Sequence, residues 1–198
     1  MTQSKRLSFV LLLNIVMITG LVIVGLSSHS LGVLAAGGDY IADSAAIALG
    51  LLAIKLRGDA HGPSRATTVV AAINVSFLLV VTSFVIVEAV HRLTSSTPHI
   101  LGLQALIISG VATITMVIGA LVLAGDKAYK DLHMRSVFID TVSDAASAAT
   151  VAATGGIIYI TKGLYWLDSA AALIISVVVG FTALKLMRDV IRTSRHAT

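Results

Sequence analysis

The 198-residue chain contains no cysteine, only two prolines and few charged side chains, which make up 12% of its residues. Without cysteine it has neither a disulfide framework nor a thiolate metal site. The scarcity of proline and the lack of low-complexity segments argue against a disordered linker or a second soluble domain. Soluble domains usually carry about a quarter charged residues. With 57% hydrophobic residues instead, the composition favours an integral membrane protein.

Six apolar segments follow one another along the chain, each near the ~20 residues that a membrane-spanning helix needs. They cover residues 7–27, 31–54, 67–90, 101–124, 134–158 and 167–187. They predict an all-α protein in which residues 1–190 form one transmembrane domain and 191–198 a short tail. The first segment is too long for the apolar core of a signal peptide, and no A-x-A-like cleavage site follows it, so we expect it to be retained.

The positive charges predict the orientation of these segments. If both termini lie on the same side of the membrane, that side holds 12 of the 14 lysines and arginines, and the opposite side holds only Arg92 and Lys162. The positive-inside rule therefore predicts cytoplasmic N and C termini. We expect a multi-pass protein in the lipid bilayer of a cell membrane, the inner membrane of a prokaryote. Because the basic residues are scattered over loops, they do not form the stripe that binds nucleic acid.

Two pairs of aspartates interrupt the apolar segments. Asp39 and Asp43 lie in the second segment, and Asp140 and Asp144 lie in the fifth. A spacing of four places each pair on one face of a helix. Asp43 and Asp144 lie about 18 Å and about 14 Å from the predicted inner boundary, near the middle of a ~30 Å hydrocarbon core. Since an ionised aspartate costs at least ~2.5–3.5 kcal/mol there, we expect a divalent cation to compensate the four carboxylates.

The two segments run in opposite directions, so their aspartates can meet. Comparison of DYIADSAA with DTVSDAAS is consistent with a three-plus-three inverted repeat. Four carboxylates around one divalent cation leave a net negative charge, so some should keep a proton, and metal binding should displace protons. That exchange is the minimum requirement for a proton antiporter. Oxygen ligands suit Mn²⁺, Fe²⁺, Co²⁺ or Mg²⁺, Zn²⁺ is also compatible, and Cd²⁺ is the least natural choice.

Other polar residues have simpler interpretations. Glu88 precedes Arg92 by four residues, which predicts an ion pair at the end of the third segment. Asp168 begins the sixth segment, where we expect a helix cap or a first-turn acid. His29, at the outer mouth of the second segment, is a weaker candidate for contact with the ion.

Long stretches of the chain resemble the cation diffusion facilitators. HSLGVLAAGGDYIADSAAIALGLLAIKL is similar to span two of that family, in which an H-x-x-x-D or D-x-x-x-D pair follows a Ser-Leu-x-x-Leu-x-x-Ala-Gly-type lead-in. DLHMRSVFIDTVSDAASAA is similar to span five, which carries the second pair. HGPSRATTVVAAINVSFLLVVTSFVIVEAVHRL is similar to the family's stretch from an inner-loop histidine through span three. The resemblance covers nearly the whole chain in order.

This resemblance implies efflux of a divalent metal ion, Zn²⁺, Fe²⁺, Mn²⁺ or Co²⁺, from the cytoplasm by proton antiport. The metal would be the transported substrate, and no cofactor is expected. Asp39, Asp43, Asp140 and Asp144 match the family's transport site. His61 matches an inner-loop histidine that contributes to a secondary metal site in some members.

Two departures from the family pattern stand out. Asp39 and Asp140 occupy positions that are often histidine in zinc-selective members, which leaves iron, manganese and cobalt open beside zinc. The family's usual cytoplasmic domain does not follow the sixth segment in these 198 residues, so we expect a short form. A homodimer of such a form would assemble through its transmembrane helices.

Two alternative functions are left open by the residues themselves. One is a passive channel for divalent cations, and the other is a non-transporting membrane subunit that binds a partner. Dependence of metal uptake on a proton gradient separates the antiporter from the channel. An enzyme is not expected, because no nucleophile–base set or cofactor motif is present.

Overall fold

A computed structural model describes residues 3–56, 65–123 and 132–196, and in these residues it contains six α-helices and no strand. The helices are α1 (Gln3–Ser28), α2 (Leu31–Leu56), α3 (Arg65–Thr94), α4 (Gly102–Leu123), α5 (Leu132–Thr161) and α6 (Trp166–His196). Each apolar segment of the sequence corresponds to one helix. The prediction of an all-helical protein is therefore confirmed.

Left-handed residues separate the paired helices where the chain turns back. His29, with a φ of 57°, stands between α1 and α2, and Lys162 and Leu164, with φ of 49° and 54°, stand between α5 and α6. A residue in this conformation cannot continue a right-handed helix, so the helix ends there. The α3–α4 connection contains Pro98, which has no amide hydrogen to donate.

The three connections described here meet at one end of the bundle, which we call the turn end. The Leu101 amide donates a hydrogen bond to the Ser28 carbonyl over 3.1 Å, which joins the α3–α4 connection to the end of α1. The ring of His99 lies 4.8 Å from that of Tyr165, which joins the same connection to the one before α6. Odd-numbered helices therefore run toward the turn end and even-numbered helices run away from it. It follows that α2 and α5 are antiparallel.

Helix α2 lies at the centre of the bundle and packs against all five other helices. The most extensive contacts elsewhere pair α4 with α5 and α3 with α6. One buried apolar cluster includes Tyr40 of α2 together with side chains of α1, α4, α5 and α6. A second cluster joins Leu31 and Ala35 of α2 to α3 and α6. Different faces of α2 thus contact different sets of helices, so acids at different positions on α2 have different neighbours.

Glycine allows α4 and α5 to approach backbone to backbone. A Cβ atom added at Gly155 would lie 2.7 Å from the Leu106 nitrogen and 2.9 Å from the Gly102 carbonyl oxygen. Real Cβ atoms do not come this close, so the approach requires glycine. Helices in a membrane associate through such close packing, because burying apolar surface gains little where the surrounding lipid is equally apolar.

Apolar side chains cover much of the exterior. Val87, Leu121 and Phe181 are 70–72% exposed, and many other large apolar side chains share this outward position. So much exposed apolar surface suits contact with lipid. By length and composition, three described segments could cross a membrane: Ala72–Thr94, Gly102–Leu121 and Trp166–Arg192.

Two shorter apolar helical segments, Asn14–Ser28 and Leu31–Ala42, accompany these three. Helix α5 carries Asp140 and Asp144, and α2 carries Asp39 and Asp43, within otherwise apolar sequence. Six membrane crossings, cytoplasmic termini and an inverted repeat stay predictions.

Candidate functional site

A close contact between Gly32 and Val151 fixes how α2 and α5 are aligned. A Cβ added at Gly32 would lie 3.2 Å from a methyl carbon of Val151 and 3.1 Å from the Asp168 carboxylate. Gly32 therefore faces both α5 and the start of α6. Because α2 and α5 are antiparallel, positions equally far from this contact along the two helices lie at the same depth.

The aspartate pairs are placed symmetrically about this contact. Asp39 follows Gly32 by seven residues, and Asp144 precedes Val151 by seven. Seven residues are nearly two helical turns and about 10 Å of rise, so each acid shares a helix face with its contact residue. By the same count, Asp43 and Asp140 both lie eleven residues from the contact. The helix register thus aligns Asp39 with Asp144 and Asp43 with Asp140 in depth.

The side chains of Asp39 and Asp144 are both partly buried. Those of Asp43 and Asp140 are not among the side chains that the structure describes, although both residues lie on described helices. Among the described side chains, no three of the types His, Cys, Asp and Glu come close enough together to hold one metal ion. With two of its four carboxylates outside that set, the four-aspartate site stays a prediction.

A small cavity of about 10 Å³ adjoins Asp39 on the side of α3 and α6. It is lined by Ala35 and Asp39 of α2, Val81, Thr82 and Val85 of α3, and Ile175, Ser176 and Val179 of α6. Asp39 is the one charged side chain in this lining, and Thr82 and Ser176 add hydroxyl groups. The carboxylate thus adjoins a polar pocket within an otherwise apolar seam between three helices.

Glycines bring the helices together around this cavity. A Cβ at Gly38 would lie 2.6 Å from a methyl carbon of Val81, so α2 and α3 approach closely there. A Cβ at Gly180 would lie 3.1 Å from the methyl carbon of Thr82, which marks a similar approach of α6 to α3. The methyl group of Thr82 thus packs against α6 and fixes where its side chain stands.

At the turn end, Asp168 caps a helix other than its own. Its carboxylate accepts hydrogen bonds from Ser30 Oγ and the Leu31 amide, both at 2.6 Å, and from the Gly32 amide at 3.4 Å. Ser30 Oγ in turn accepts from the Val33 amide at 3.2 Å. These bonds satisfy the first three amides of α2, which have no partner within the helix. Asp168 is only 2% exposed, so these donors replace the water it gives up.

Arg92 adds a second link between α3 and the start of α2. Its Nε donates to Glu88 Oε1 at 2.7 Å, and its Nη1 donates to the His29 carbonyl at 2.8 Å. The predicted Glu88–Arg92 ion pair is therefore confirmed. His29 is exposed, and the contact that the structure gives it is through its backbone carbonyl.

The structure adds to the sequence predictions at two further places. Asp168 lies in the first turn of α6, as expected, but its hydrogen bonds go to Ser30 and the first residues of α2, 136 to 138 residues away in sequence. Thr82 and Ser176 were not among the sequence candidates, because a hydroxyl within an apolar helix often bonds only its own backbone, as Thr113 does with Ser109. His61 lies in residues 57–64, outside the described residues.

The sequence profile of the cation efflux transmembrane domain family matches residues 7–193. Among curated proteins, the chain is 27% identical over 201 residues to the cadmium, cobalt and zinc/H(+)-K(+) antiporter of Bacillus velezensis, with 96% of the chain and 63% of that protein covered. The antiporter of the same name from Bacillus subtilis is 25% identical over 200 residues, with 96% of the chain and 64% of that protein covered.

The zinc transporter ZitB of Yersinia pestis is 27% identical over 195 residues, which cover 95% of the chain and 62% of that protein. The chain therefore spans less than two thirds of the length of these curated relatives. Their names describe transporters and not enzymes, in agreement with the sequence prediction.

Proposed function

Because the chain belongs to the cation efflux transmembrane domain family, we propose that it exports a divalent metal ion across a membrane in exchange for protons. The curated relatives bear the names of zinc transporters and of cadmium, cobalt and zinc antiporters. The activity is proposed here for a chain that matches only part of those relatives. For this activity the chain needs a binding site for the ion and a way to couple ion transport to proton transport.

The proposed ion site consists of Asp39, Asp43, Asp140 and Asp144. The observation that carries this assignment is the register between α2 and α5, which aligns the two aspartate pairs in depth about the contact of Gly32 with Val151. Each pair shares a helix face with its contact residue, and these two faces meet where Gly32 contacts Val151. An ion bound between α2 and α5 would offset the cost of placing several carboxylates among apolar residues.

Coupling to protons follows from the charges of this site. Four ionised carboxylates in a poorly polarisable environment repel one another, so without metal some of them retain protons. A metal ion can bind only when those protons leave, so the binding of metal and the binding of protons are coupled at the same site. The antiporter names of the Bacillus relatives support such an exchange.

The substrate proposed is Zn²⁺, Co²⁺, Mn²⁺ or Fe²⁺. Carboxylates suit the harder of these ions and also occur as zinc ligands. The names of the relatives favour zinc and cobalt and include cadmium, the softest of these ions. Direct comparison of the four ions with Cd²⁺ is therefore part of the test.

The proposed topology has six membrane crossings, with both termini in the cytoplasm of a prokaryotic cell and the turn end outside. Arg92 and Lys162 lie at the turn end, and the predicted inner loops carry most of the remaining positive charge. The ion would enter from the opposite end and leave near the turn end. A homodimer, if one forms, would use lipid-facing helix surfaces.

Transport by the purified full chain in lipid vesicles tests this function. We expect an imposed pH gradient to drive uptake of Zn²⁺ or Co²⁺ and metal to drive a counter-flow of protons. Asp39→Asn and Asp144→Asn keep side-chain size but remove a charged ligand, so uptake should fall to the level of empty vesicles. Asp189→Asn is the matched control, because this acid lies near the end of α6, four residues after Lys185.

Metal uptake that ignores the pH gradient and moves no protons would identify a channel instead of an antiporter. Unchanged metal binding and uptake in both aspartate variants would favour a non-transporting subunit. Either result would overturn the proposal.

A further inference from the structure

The cavity beside Asp39 lies on the side of α2 that faces α3 and α6, and its described lining contains no residue of α5. Its volume of about 10 Å³ is close to the least space that one water molecule requires, about 10–15 Å³. A space of this volume between α2, α3 and α6 leaves no room for a hydrated ion. The cavity therefore fits a single small ligand of the size of water.

The polar groups around the cavity match the needs of a buried water. Such a water makes two to four hydrogen bonds, about three on average. Asp39, Thr82 and Ser176 offer one carboxylate and two hydroxyls, from three different helices. Thr82 and Ser176 are 5% and 3% exposed, so neither hydroxyl is well placed to bond bulk solvent. A hydroxyl can donate as well as accept, so both can bond a water whose hydrogen points at the carboxylate.

We propose that Thr82 and Ser176 hold one water against Asp39 and thereby orient its carboxylate toward the metal ion on the α5 side. This inference rests on the proposed function, since it assigns positioning residues to the same ion site. In this arrangement one carboxylate oxygen bonds the water, and the other is directed at the metal. The two hydroxyl side chains act through Asp39 and do not touch the ion.

A carboxylate held in this way binds metal more tightly, because less rotational freedom is lost on binding. Groups that orient metal ligands typically contribute about 10- to 100-fold to metal affinity. The glycine contacts support a fixed geometry, since Gly38 and Gly180 allow α2 and α6 to pack tightly against α3 at the level of the cavity. The transport site thus extends to α3 and α6, beyond the two helices that carry its acids.

Metal titration of the purified full chain tests the inference with the double variant Thr82→Val and Ser176→Ala. Both changes keep side-chain volume nearly constant and remove the hydroxyls. We expect the Kd for Zn²⁺ and Co²⁺, measured by calorimetry, to rise about 10- to 100-fold. In vesicles, the KM for uptake should rise by the same factor while the rate at saturating metal stays unchanged. Thr82→Ser keeps the hydroxyl but loses the methyl group that packs against α6, so its Kd should lie much nearer that of the parent than that of the double variant.

Two matched controls exclude a general effect of removing buried hydroxyls. Thr154→Val and Ser109→Ala change a buried threonine on α5 and a buried serine on α4, neither of which lines the cavity. They should leave Kd unchanged. If the double variant does not fold, Ser176→Ala alone gives the same test with a smaller expected rise.

Two outcomes separate this inference from the function on which it rests. If Asp39→Asn abolishes metal binding while the double variant binds metal like the parent, the ion site stands and the role of Thr82 and Ser176 is wrong. If Asp39→Asn itself binds and transports metal normally, the proposed ion site is wrong, and the inference about Thr82 and Ser176 is wrong with it. A rise in Kd accompanied by an equal rise in the controls would also overturn the inference.

Discussion

Asp168 and Asp39 are both carboxylates on apolar helices, yet their surroundings differ. Asp168, at the turn end, is almost fully buried and accepts three hydrogen bonds from the start of α2. Asp39, about two turns further along α2, adjoins a water-sized cavity between α2, α3 and α6. The hydrogen bonds of Asp168 hold helices together, whereas the cavity beside Asp39 leaves space for about one water molecule at its carboxylate.

This difference shows that an acid within an apolar helix is not sufficient evidence for a metal ligand. A carboxylate surrounded by backbone amides is already compensated, because those donors replace its hydration. A carboxylate that lies level with another acid, and one helical turn from a second pair, is better compensated by a cation. The arrangement of neighbours on other helices decides between the two roles.

Exchanging each acid for its amide gives the largest expected contrast. Asp39→Asn should weaken Zn²⁺ binding by at least about 100-fold, since losing a charged ligand costs more than losing a group that only orients one. Asp168→Asn keeps an oxygen that accepts from the Leu31 amide, and its metal affinity should stay within about threefold of the parent, or about 0.7 kcal/mol. Calorimetric titration measures both. The reverse ranking would mean that Asp168 belongs to the ion site.

Deleting the Asp168 carboxylate should show its structural role. Asp168→Ala leaves the first amides of α2 buried without their acceptor, and we expect a loss of about 3 kcal/mol in the free energy of unfolding. Ser30→Ala removes one capping hydroxyl and should cost about 1 kcal/mol. Chemical unfolding in detergent, followed by circular dichroism, measures both. A fully stable Asp168→Ala protein would contradict the capping role.

The register that aligns the acids can be tested away from both carboxylates. Gly155→Ala places a methyl group 2.7 Å from the Leu106 nitrogen, so α4 and α5 must separate, at a cost of about 1–3 kcal/mol. Because α5 also carries Asp144, metal affinity should fall with stability. Gly110→Ala is the matched control, since a methyl group there meets no atom within 4 Å. It should leave metal binding unchanged and improve the helix by about 0.5–1 kcal/mol. Equal behaviour of the two variants would refute the backbone contact.

The smallest effect is expected at the partly exposed ion pair of the turn end. Arg92→Met removes the bonds to Glu88 and to the His29 carbonyl and should cost about 1 kcal/mol of stability. Glu88→Gln should cost less, because the bond from Arg92 to His29 is retained. Metal affinity should not change in either variant. Thermal unfolding measures the stability of both variants, and metal titration measures their affinity. A larger loss of stability in Glu88→Gln than in Arg92→Met would contradict the role given to the bond from Arg92 to His29.

The sequence allowed prediction of those features that depend on nearby residues. The helical segments follow from long apolar runs, and the Glu88–Arg92 pair follows from a spacing of four on one helix. The aspartate pairs are also recognisable in the sequence, because charged residues are rare within apolar segments and each pair has a spacing of four. The bonds of Asp168 to Ser30 and the start of α2 could not be predicted, because they join residues 136 to 138 positions apart. The sequence does not single out Thr82 and Ser176, because a hydroxyl in an apolar helix can bond the backbone of its own helix and is common there.

By itself, then, the amino-acid sequence determined that the chain is helical and apolar, and that four aspartates lie at helical spacing within it. These properties depend on composition and on contacts within a turn or two of the same helix. The tertiary structure alone decided that Asp168 caps α2, that Gly32 against Val151 aligns the two aspartate pairs, and that α3 and α6 bring hydroxyls beside Asp39. The physical reason is that helices far apart in sequence choose their neighbours and register through close packing at small residues, which no local pattern encodes.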